Sequence, residues 1–124
     1  MQTSIFETNM ALTELELKRC EKPLAAFMAR RRPPAHIREK LDIDYRIDGH
    51  SVEIFEIRPD WKHPTARYET PVAKATFVRT KNLWKVFWKR QDLKWHGYTP
   101  NLEVKTLEAF LGVVDRDENG CFFG

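Results

Sequence analysis

The sequence predicts an α+β domain: an N-terminal helix, a five-stranded antiparallel meander sheet and a C-terminal helix packed on one face of the sheet. Two observations lead to this fold class. Apolar residues recur at helical spacing near both ends of the chain, and between them they alternate with polar residues, as in strands that bury one face. Turn-forming pairs separate the alternating stretches. With 124 residues and 42% hydrophobic content, the chain fits one domain, expected to span residues 10–124 after a poorly ordered extension at residues 1–9.

The first helix is predicted to begin at Thr13, because Thr13 and Glu16 form a capping box in which each side chain binds the other's backbone amide. Its buried stripe follows at helical spacing: Leu17, Cys20, Leu24, Phe27 and Met28. Pro23 lies within this pattern and predicts a kink, or a break into two helices, near residues 19–22. The adjacent prolines Pro33 and Pro34 end the helix.

The first predicted hairpin joins two alternating stretches through Asp48-Gly49, a pair that tolerates the positive φ of a two-residue turn. This turn sets Ile43 opposite Ile54, so that the apolar faces of the two strands coincide. Alternation then fails over residues 54–57, which predicts either a bulge or burial on both faces. The thirteen residues from Pro59 to Pro71 include three prolines and are predicted to form a long loop, a feature that is often functional.

Two further turns predict the rest of the meander. Lys81-Asn82 sets Ala75 opposite Trp88, and Gln91-Asp92 sets Trp88 opposite Trp95. These registers place three tryptophans in the core beneath the helices: Trp84, Trp88 and Trp95. A slip of one residue would move each apolar set to the other face of the sheet.

The last helix is predicted to start at the N-cap Thr106 and to stop at Gly120. Its buried stripe is formed by Leu107, Phe110, Leu111 and Val114. The two cysteines, Cys20 and Cys121, are 101 positions apart and fit no metal-ligand spacing, so we expect them to stay free in a reducing compartment. The N-terminus has no basic segment followed by an apolar run, and no stretch is apolar enough to cross a membrane. We therefore expect a cytoplasmic protein with no membrane partner.

One stretch of the predicted sheet combines aromatic and basic side chains. Residues 79–98 hold six basic residues against one aspartate, although the net charge of the whole chain is only +3. In the predicted registers, the sheet face opposite the helices presents Phe87 between two lysines and further basic and aromatic residues on the next strand. The candidate ligand-binding residues are Lys85, Phe87, Lys89, Lys94, His96 and Tyr98 on the sheet, with Trp61 and Arg67 from the long loop. Because rings stack on bases and lysines hold phosphates, the leading hypothesis is a non-enzymatic binding module for an anionic ligand such as nucleic acid.

Other interpretations of this face stay open. Three acids of the first hairpin would neutralise the lysines if the strands adjoin: Asp42, Asp44 and Glu53. A second copy of the chain, or another protein, could instead cover the face or bind the tail from Cys121 to Gly124. The same acids with Lys74 suggest a metal-dependent hydrolase, a remote alternative because none of the five predicted strands carries a Glu-x-Lys pair.

The sequence shows no established catalytic motif. The four histidines have no metal-ligand spacing, and nucleophile elbows, phosphate loops and dinucleotide loops are missing. We therefore predict no catalytic residues, no metal ligands and no cofactor.

Several phrases of the sequence together resemble one family. They are Leu12-Thr13-Glu14-Leu15-Glu16, Arg31-Arg32-Pro33-Pro34, Val72-Ala73-Lys74-Ala75-Thr76, Trp84-Lys85-Val86-Phe87-Trp88, Leu93-Lys94-Trp95-His96 and Gly120-Cys121-Phe122-Phe123-Gly124. From about Met10 to Gly124 the chain resembles a family of small bacterial proteins described as a domain of unknown function, number three-zero-two-four. The resemblance implies a bacterial, cytoplasmic protein and supplies no activity, cofactor or catalytic residue.

Overall fold

The computed structural model describes residues 11–123 and confirms the predicted α+β fold. The elements are α1 (Glu14–Arg31), β1 (Asp42–Asp48), β2 (Ser51–Pro59), β3 (Arg67–Val78), β4 (Leu83–Lys89), β5 (Trp95–Gly97), a 3-10 turn (Thr99–Asn101), β6 (Glu103–Val104) and α2 (Leu107–Arg116). Strands β1 to β5 form the antiparallel meander in chain order, and the short β6, which was not predicted, pairs with β4. The extension predicted at residues 1–9 lies outside the described residues.

The first helix begins as predicted. The Thr13 hydroxyl accepts from the Glu16 amide at 3.2 Å, and the Glu16 carboxylate accepts from the Thr13 amide at 2.9 Å, which confirms the capping box. The helix continues through Pro23 as one element of 18 residues, so the alternative of a break near residues 19–22 is wrong. Pro23 has no N–H, so the carbonyl of Arg19 lacks the backbone donor that it would normally have in a helix. Arg19 is exposed to solvent.

The core lies between the two helices and one face of the sheet, here named the helix face. Its largest fully buried side chains include Phe27 and Leu24 of α1, Phe110 and Leu111 of α2, and Ile54 of the sheet. Burying each of these contributes about 1.5–3 kcal/mol through the hydrophobic effect. The predicted stripes are confirmed except at Leu17, which is exposed, while Leu12 just before the helix is buried instead.

The first two hairpins have registers that differ from the predicted ones by two residues. Tyr45 pairs with Ile54 because the first turn is Gly49-His50, with Gly49 at φ +60°. Ala75 pairs with Val86 because the second turn has four residues rather than two. Side chains alternate with a period of two along a strand, so a shift of two residues changes partners and preserves faces. Trp84 and Val86 therefore lie in the core as predicted.

The third hairpin differs from the prediction by one residue, and its faces are reversed. Arg90 donates to the Lys94 carbonyl at 3.2 Å, which closes a three-residue loop that ends with Leu93 at φ +62°. Trp88 therefore pairs with His96, and Lys89 pairs with Trp95. The predicted burial of Trp95 beneath the helices is wrong, because the odd loop turns its side chain to the opposite side of the sheet.

The long loop predicted after β2 is shorter than expected, because residue 59 and residues 67–71 belong to strands. Strands β2 and β3 stay paired out to Pro59 and Arg67, which leaves only residues 60–66 as a loop. The irregularity predicted at residues 54–57 is confirmed as a shift in register between Ile54 and Phe55. On β3, opposite this shift, both Val72 and Ala73 are buried in the core, as expected for a bulge.

The C-terminal tail docks in the protein's own core. Helix α2 ends at Arg116, before the predicted Gly120, because Asp117 adopts a left-handed conformation at φ 41°. The Asp117 carboxylate accepts from the Phe122 amide at 3.0 Å and from the Phe123 amide at 2.9 Å. Phe122 is buried with its ring centroid 4.8 Å from that of Tyr98. In the part of the chain described, neither helix combines the length and the apolar character needed to cross a membrane.

Candidate ligand-binding face

The sheet face opposite the helices, here named the open face, carries a group of lysines and aromatic rings. This group, the lysine–aromatic platform, consists of Lys74, Lys85, Phe87, Lys89 and Trp95. The strand registers build it, because Lys74 of β3 stands opposite Phe87 of β4, and Lys89 of β4 stands opposite Trp95 of β5. Both rings are partly exposed. The platform thus presents flat apolar groups and cations on one surface.

Two of the lysines lie beside the rings. The Lys74 ammonium is 5.0 Å from the centroid of Phe87 and 5.0 Å from that of Trp95. The Lys89 ammonium is 5.1 Å from the Trp95 centroid. Such cation–π contacts hold an ammonium in position without neutralising it. The charge therefore remains available to an anion.

No carboxylate of residues 11–123 lies within 4.0 Å of the Lys74, Lys85 or Lys89 ammonium. The acids of the first hairpin therefore form no direct ion pair with these lysines, although β2 and β3 adjoin as that interpretation requires. Glu53 stands opposite Lys74 in the register, yet its ion-pair partner is Arg46 at 3.7 Å. The carboxylate of Asp42 takes two hydrogen bonds from Arg32, at 2.9 and 3.0 Å, and these hold its pKa below the ordinary value.

The remainder of the open face is internally paired. Arg46 also forms an ion pair with Glu69, and its guanidinium lies 4.3 Å from the Phe55 ring centroid. Phe55 is only 7% exposed although it lies on this side of the sheet. The open face therefore divides into an arginine–carboxylate half on β1, β2 and the start of β3, and a lysine–aromatic half on β3, β4 and β5.

The structure brings together only part of the predicted site. Lys85, Phe87 and Lys89 lie on the platform. The predicted position of Lys94 beside Lys89 is wrong, because Lys89 pairs with Trp95 and Lys94 is exposed in the neighbouring turn. The predicted positions of His96 and Tyr98 on the open face are wrong, because the three-residue loop turns both toward the helix face.

His96 and Tyr98 both have partners within the fold. His96 Nε2 lies 2.8 Å from the Asp92 carboxylate, and this hydrogen bond lowers the pKa of Asp92. Tyr98 is 2% exposed, and its hydroxyl accepts from the Asn119 amide at 2.9 Å. His96 thus stabilises the turn, and Tyr98 stabilises the tail.

Trp61 and Arg67 lie far from the platform. Trp61 is 83% exposed in the loop between β2 and β3, and Arg67 donates to the Arg38 carbonyl at 3.3 Å. Arg67 and Lys74 are seven residues apart on β3, which corresponds to roughly 23 Å along the strand. A ligand at the platform must therefore be extended to contact both regions.

Sequence reasoning missed two members of the platform. Lys74 was expected on the open face but was left out of the candidate site, and Trp95 was assigned to the core. A signal for the position of Trp95 exists in the turn, where Asp92 Oδ1 accepts from the Lys94 amide at 3.0 Å. Such an aspartate turn is compatible with a three-residue loop, a type I turn followed by a left-handed residue, and an odd loop length exchanges the faces.

A groove adjoins the platform where the edge of the sheet is interrupted. The 3-10 turn separates β5 from β6, and Val86 bridges the interruption by accepting from the Tyr98 amide and donating to the Leu102 carbonyl. The groove has a volume of about 380 Å³. Its lining residues are Lys85, Val86, Phe87, Gly97, Leu102 and Glu103.

A second cleft, of about 170 Å³, lies on the other side of the sheet near the first turns of α1 and α2. Cys20 contributes to its wall, and burial raises the pKa of the Cys20 thiol, so the thiol stays protonated and unreactive near neutral pH. Cys20 and Cys121 are both free.

Residues 11–123 contain no group of three or more histidine, cysteine or acidic residues placed to hold a metal ion. The carboxylates of Asp42 and Glu53 each form an ion pair with an arginine. The metal-dependent alternative therefore has no ligand set in the described part of the chain.

The fold and the open face define a small α+β protein with a basic and aromatic surface whose lysines have no carboxylate partner within residues 11–123. Residues 12–124 match the family described as Domain of unknown function (DUF3024), so the chain belongs to that family and the predicted resemblance is confirmed. No curated protein and no solved structure matches the chain.

Proposed function

We propose that this protein is a non-enzymatic binding module and that its lysine–aromatic platform binds single-stranded nucleic acid. One observation carries the proposal: one sheet face holds two partly exposed rings together with three lysines that have no carboxylate within 4.0 Å among residues 11–123. The two free cysteines agree with a reducing compartment, and we place the protein in the bacterial cytoplasm.

The two kinds of side chain on the platform have complementary roles in this proposal. Exposed bases stack on rings such as Phe87 and Trp95, and each stacked base contributes about 1–3 kcal/mol by alanine substitution. Lysines hold the phosphates between the bases. Single strands suit this surface better than duplexes, because a duplex keeps its base faces stacked on one another.

Binding of a labelled decamer, dT10, at 50 and 200 mM salt tests the proposal. Three phosphate contacts predict a slope of about −2 in log affinity against log salt, which is a roughly 20-fold loss over this range. Replacement of Lys74, Lys85 and Lys89 by glutamine should abolish most of the affinity. The matched control replaces three exposed lysines elsewhere, Lys18, Lys22 and Lys40, and changes the net charge equally. Equal losses in the two triple variants, or no binding at 50 mM salt, would overturn the proposal.

Two tryptophan-to-alanine variants test the aromatic part of the platform. Trp95→Ala should weaken dT10 binding by about 5- to 150-fold, the equivalent of one stacked base. Trp61→Ala removes an exposed tryptophan at the far end of the β2–β3 ribbon. If Trp61→Ala weakens binding as much as Trp95→Ala, the bound strand extends to the loop, as the sequence predicted for Trp61 and Arg67.

Self-association through the same face is the second candidate function. Phe87, Trp95 and Leu102, which is 52% exposed, supply an apolar centre for such a contact. Sedimentation at micromolar concentration, with the wild type and Phe87→Glu compared, separates the two functions. A monomeric wild type rules out the homo-oligomer, whereas a dimer that Phe87→Glu dissociates supports it.

A further inference from the structure

We propose that the groove between β4 and the interrupted β5–β6 edge is a nucleobase pocket that selects guanine within a bound single strand. This inference rests on the proposed function, since it assigns a base preference to the same face. It is carried by the shape of the groove and by two oppositely charged side chains at its rim.

The groove exists because the edge strand is interrupted and because Gly97 has no side chain. A methyl group added at Gly97 would lie 3.0 Å from Leu102 Cδ2, so any larger residue there would fill the space between Leu102 and Phe87. Phe87 supplies an aromatic wall, and Leu102 supplies an aliphatic one. A volume of about 380 Å³ is sufficient for a planar base between these walls.

The polar rim of the groove offers one donor and one acceptor. Lys85 and Glu103 stand directly opposite each other in the β4–β6 register, and both line the groove. Within residues 11–123 neither has an ion-pair partner within 4.0 Å, and both are exposed. An ammonium and a carboxylate side by side can therefore bind complementary groups on the edge of one base.

Guanine is the base whose edge matches this pair. Its adjacent N1 and N2 groups both donate and suit the two oxygens of the Glu103 carboxylate, while its O6 accepts from the Lys85 ammonium. Cytosine and adenine present only one amino donor group, and thymine presents a single ring N–H between two carbonyls. Guanine alone uses both carboxylate oxygens and the lysine together.

The groove is continuous with the platform through one residue. Phe87 lines the groove and also lies 5.0 Å from the Lys74 ammonium, which in turn contacts Trp95. A base in the groove and the next base on Trp95 would belong to the same strand, with Lys74 between them. The groove therefore adds selectivity to a surface that otherwise binds any sequence.

Competition among four decamers tests the inference: dT10 and dT10 with one central dG, dA or dC. The dG decamer should bind about tenfold more tightly than dT10, a typical discrimination for one well-recognised base. Glu103→Gln should reduce this preference to below about threefold while dT10 affinity stays equal or rises, because a negative charge is removed. Glu39→Gln, an exposed glutamate remote from the groove, makes the same charge change and should leave the preference intact.

The outcomes separate this inference from the proposed function. Salt-dependent binding of dT10 with no preference for dG overturns the guanine pocket and leaves the platform standing. A dG preference that persists in Glu103→Gln also overturns the pocket, since the selectivity then originates elsewhere. Failure of every decamer to bind at 50 mM salt overturns both.

Discussion

The cations of this protein divide by residue type into two roles. Arginines join distant segments through carboxylates, as in Arg30 with Asp115, Arg32 with Asp42 and Arg79 with Glu16. The platform lysines instead have no carboxylate partner among the described residues, and two of them, Lys74 and Lys89, lie beside rings. A guanidinium fork suits fixed bidentate pairs, whereas an ammonium is a mobile point charge that suits phosphates. The division supports a structural role for the arginines and a binding role for the lysines.

The Glu16–Arg79 pair predicts a dependence of stability on acid pH. Hydrogen bonds from Arg79, at 2.6 and 3.1 Å, are the main cause that lowers the pKa of Glu16 to about 2 from 4.5. Because the folded pKa lies below the ordinary value, the pair's stabilisation is fully present above pH 4.5 and is lost as pH falls toward 2. Partial solvent exposure limits the contribution to roughly 1 kcal/mol.

Glu16→Gln should therefore lower the free energy of unfolding by about 1 kcal/mol at pH 7 and have a negligible effect near pH 2. Urea denaturation at the two pH values measures this difference. Glu14→Gln changes the same charge in the same helical turn and is the matched control. If the two variants behave alike, the Arg79 contact is not the cause.

At the scale of elements, the third hairpin holds a non-glycine residue in an unfavourable conformation. Leu93 has φ +62° and is 77% exposed, so its side chain contributes little burial to offset the steric cost of the left-handed region. The loop keeps this geometry because Arg90 and Lys94 pair across it and Asp92 accepts from the Lys94 amide. The orientation of Trp95 depends on this loop.

Leu93→Gly should raise the free energy of unfolding by about 0.5–1 kcal/mol, because glycine reaches positive φ without a steric penalty. Lys94→Gly is the matched control, since residue 94 is not among the positive-φ positions and glycine there should destabilise the hairpin. Chemical denaturation measures both. Destabilisation by Leu93→Gly comparable to that by Lys94→Gly would contradict the strain at Leu93.

The same hairpin shows where prediction from sequence reached its limit. Helix positions, strand order and the faces of the first two hairpins were predictable, because apolar periodicity determines which side of an element is buried. Errors of two residues in the turns at Gly49 and Asn82 did not change those faces. The error of one residue at Leu93 did, because leucine itself gives no sign of a left-handed position and the aspartate at residue 92 does not fix the loop length. The platform was therefore only half predictable: Lys85, Phe87 and Lys89 follow from β4 alone, whereas Trp95 depends on the turn.

Across the whole molecule, the two faces of the sheet have separate roles. The helix face packs against both helices and the tail, and it contains the buried residues that stabilise the fold. The lysine–aromatic half of the open face presents partly exposed rings and, within residues 11–123, lysines without carboxylate partners. Substitutions on one face should consequently change stability and substitutions on the other should change binding, with little effect in common.

The tail offers the sharpest test of this separation, because it lies in the core and on the side opposite the platform. Phe122→Ala removes a buried ring that packs on Tyr98, so the free energy of unfolding should fall by about 3 kcal/mol. At a temperature where the variant stays folded, its affinity for dT10 should remain within about twofold of the wild type. Phe123→Ala, whose ring is half-buried against Arg31, is the milder control and should cost about 1 kcal/mol. A loss of binding in folded Phe122→Ala that parallels its loss of stability would mean that the helix face positions the platform, and the two roles would then belong to one coupled unit.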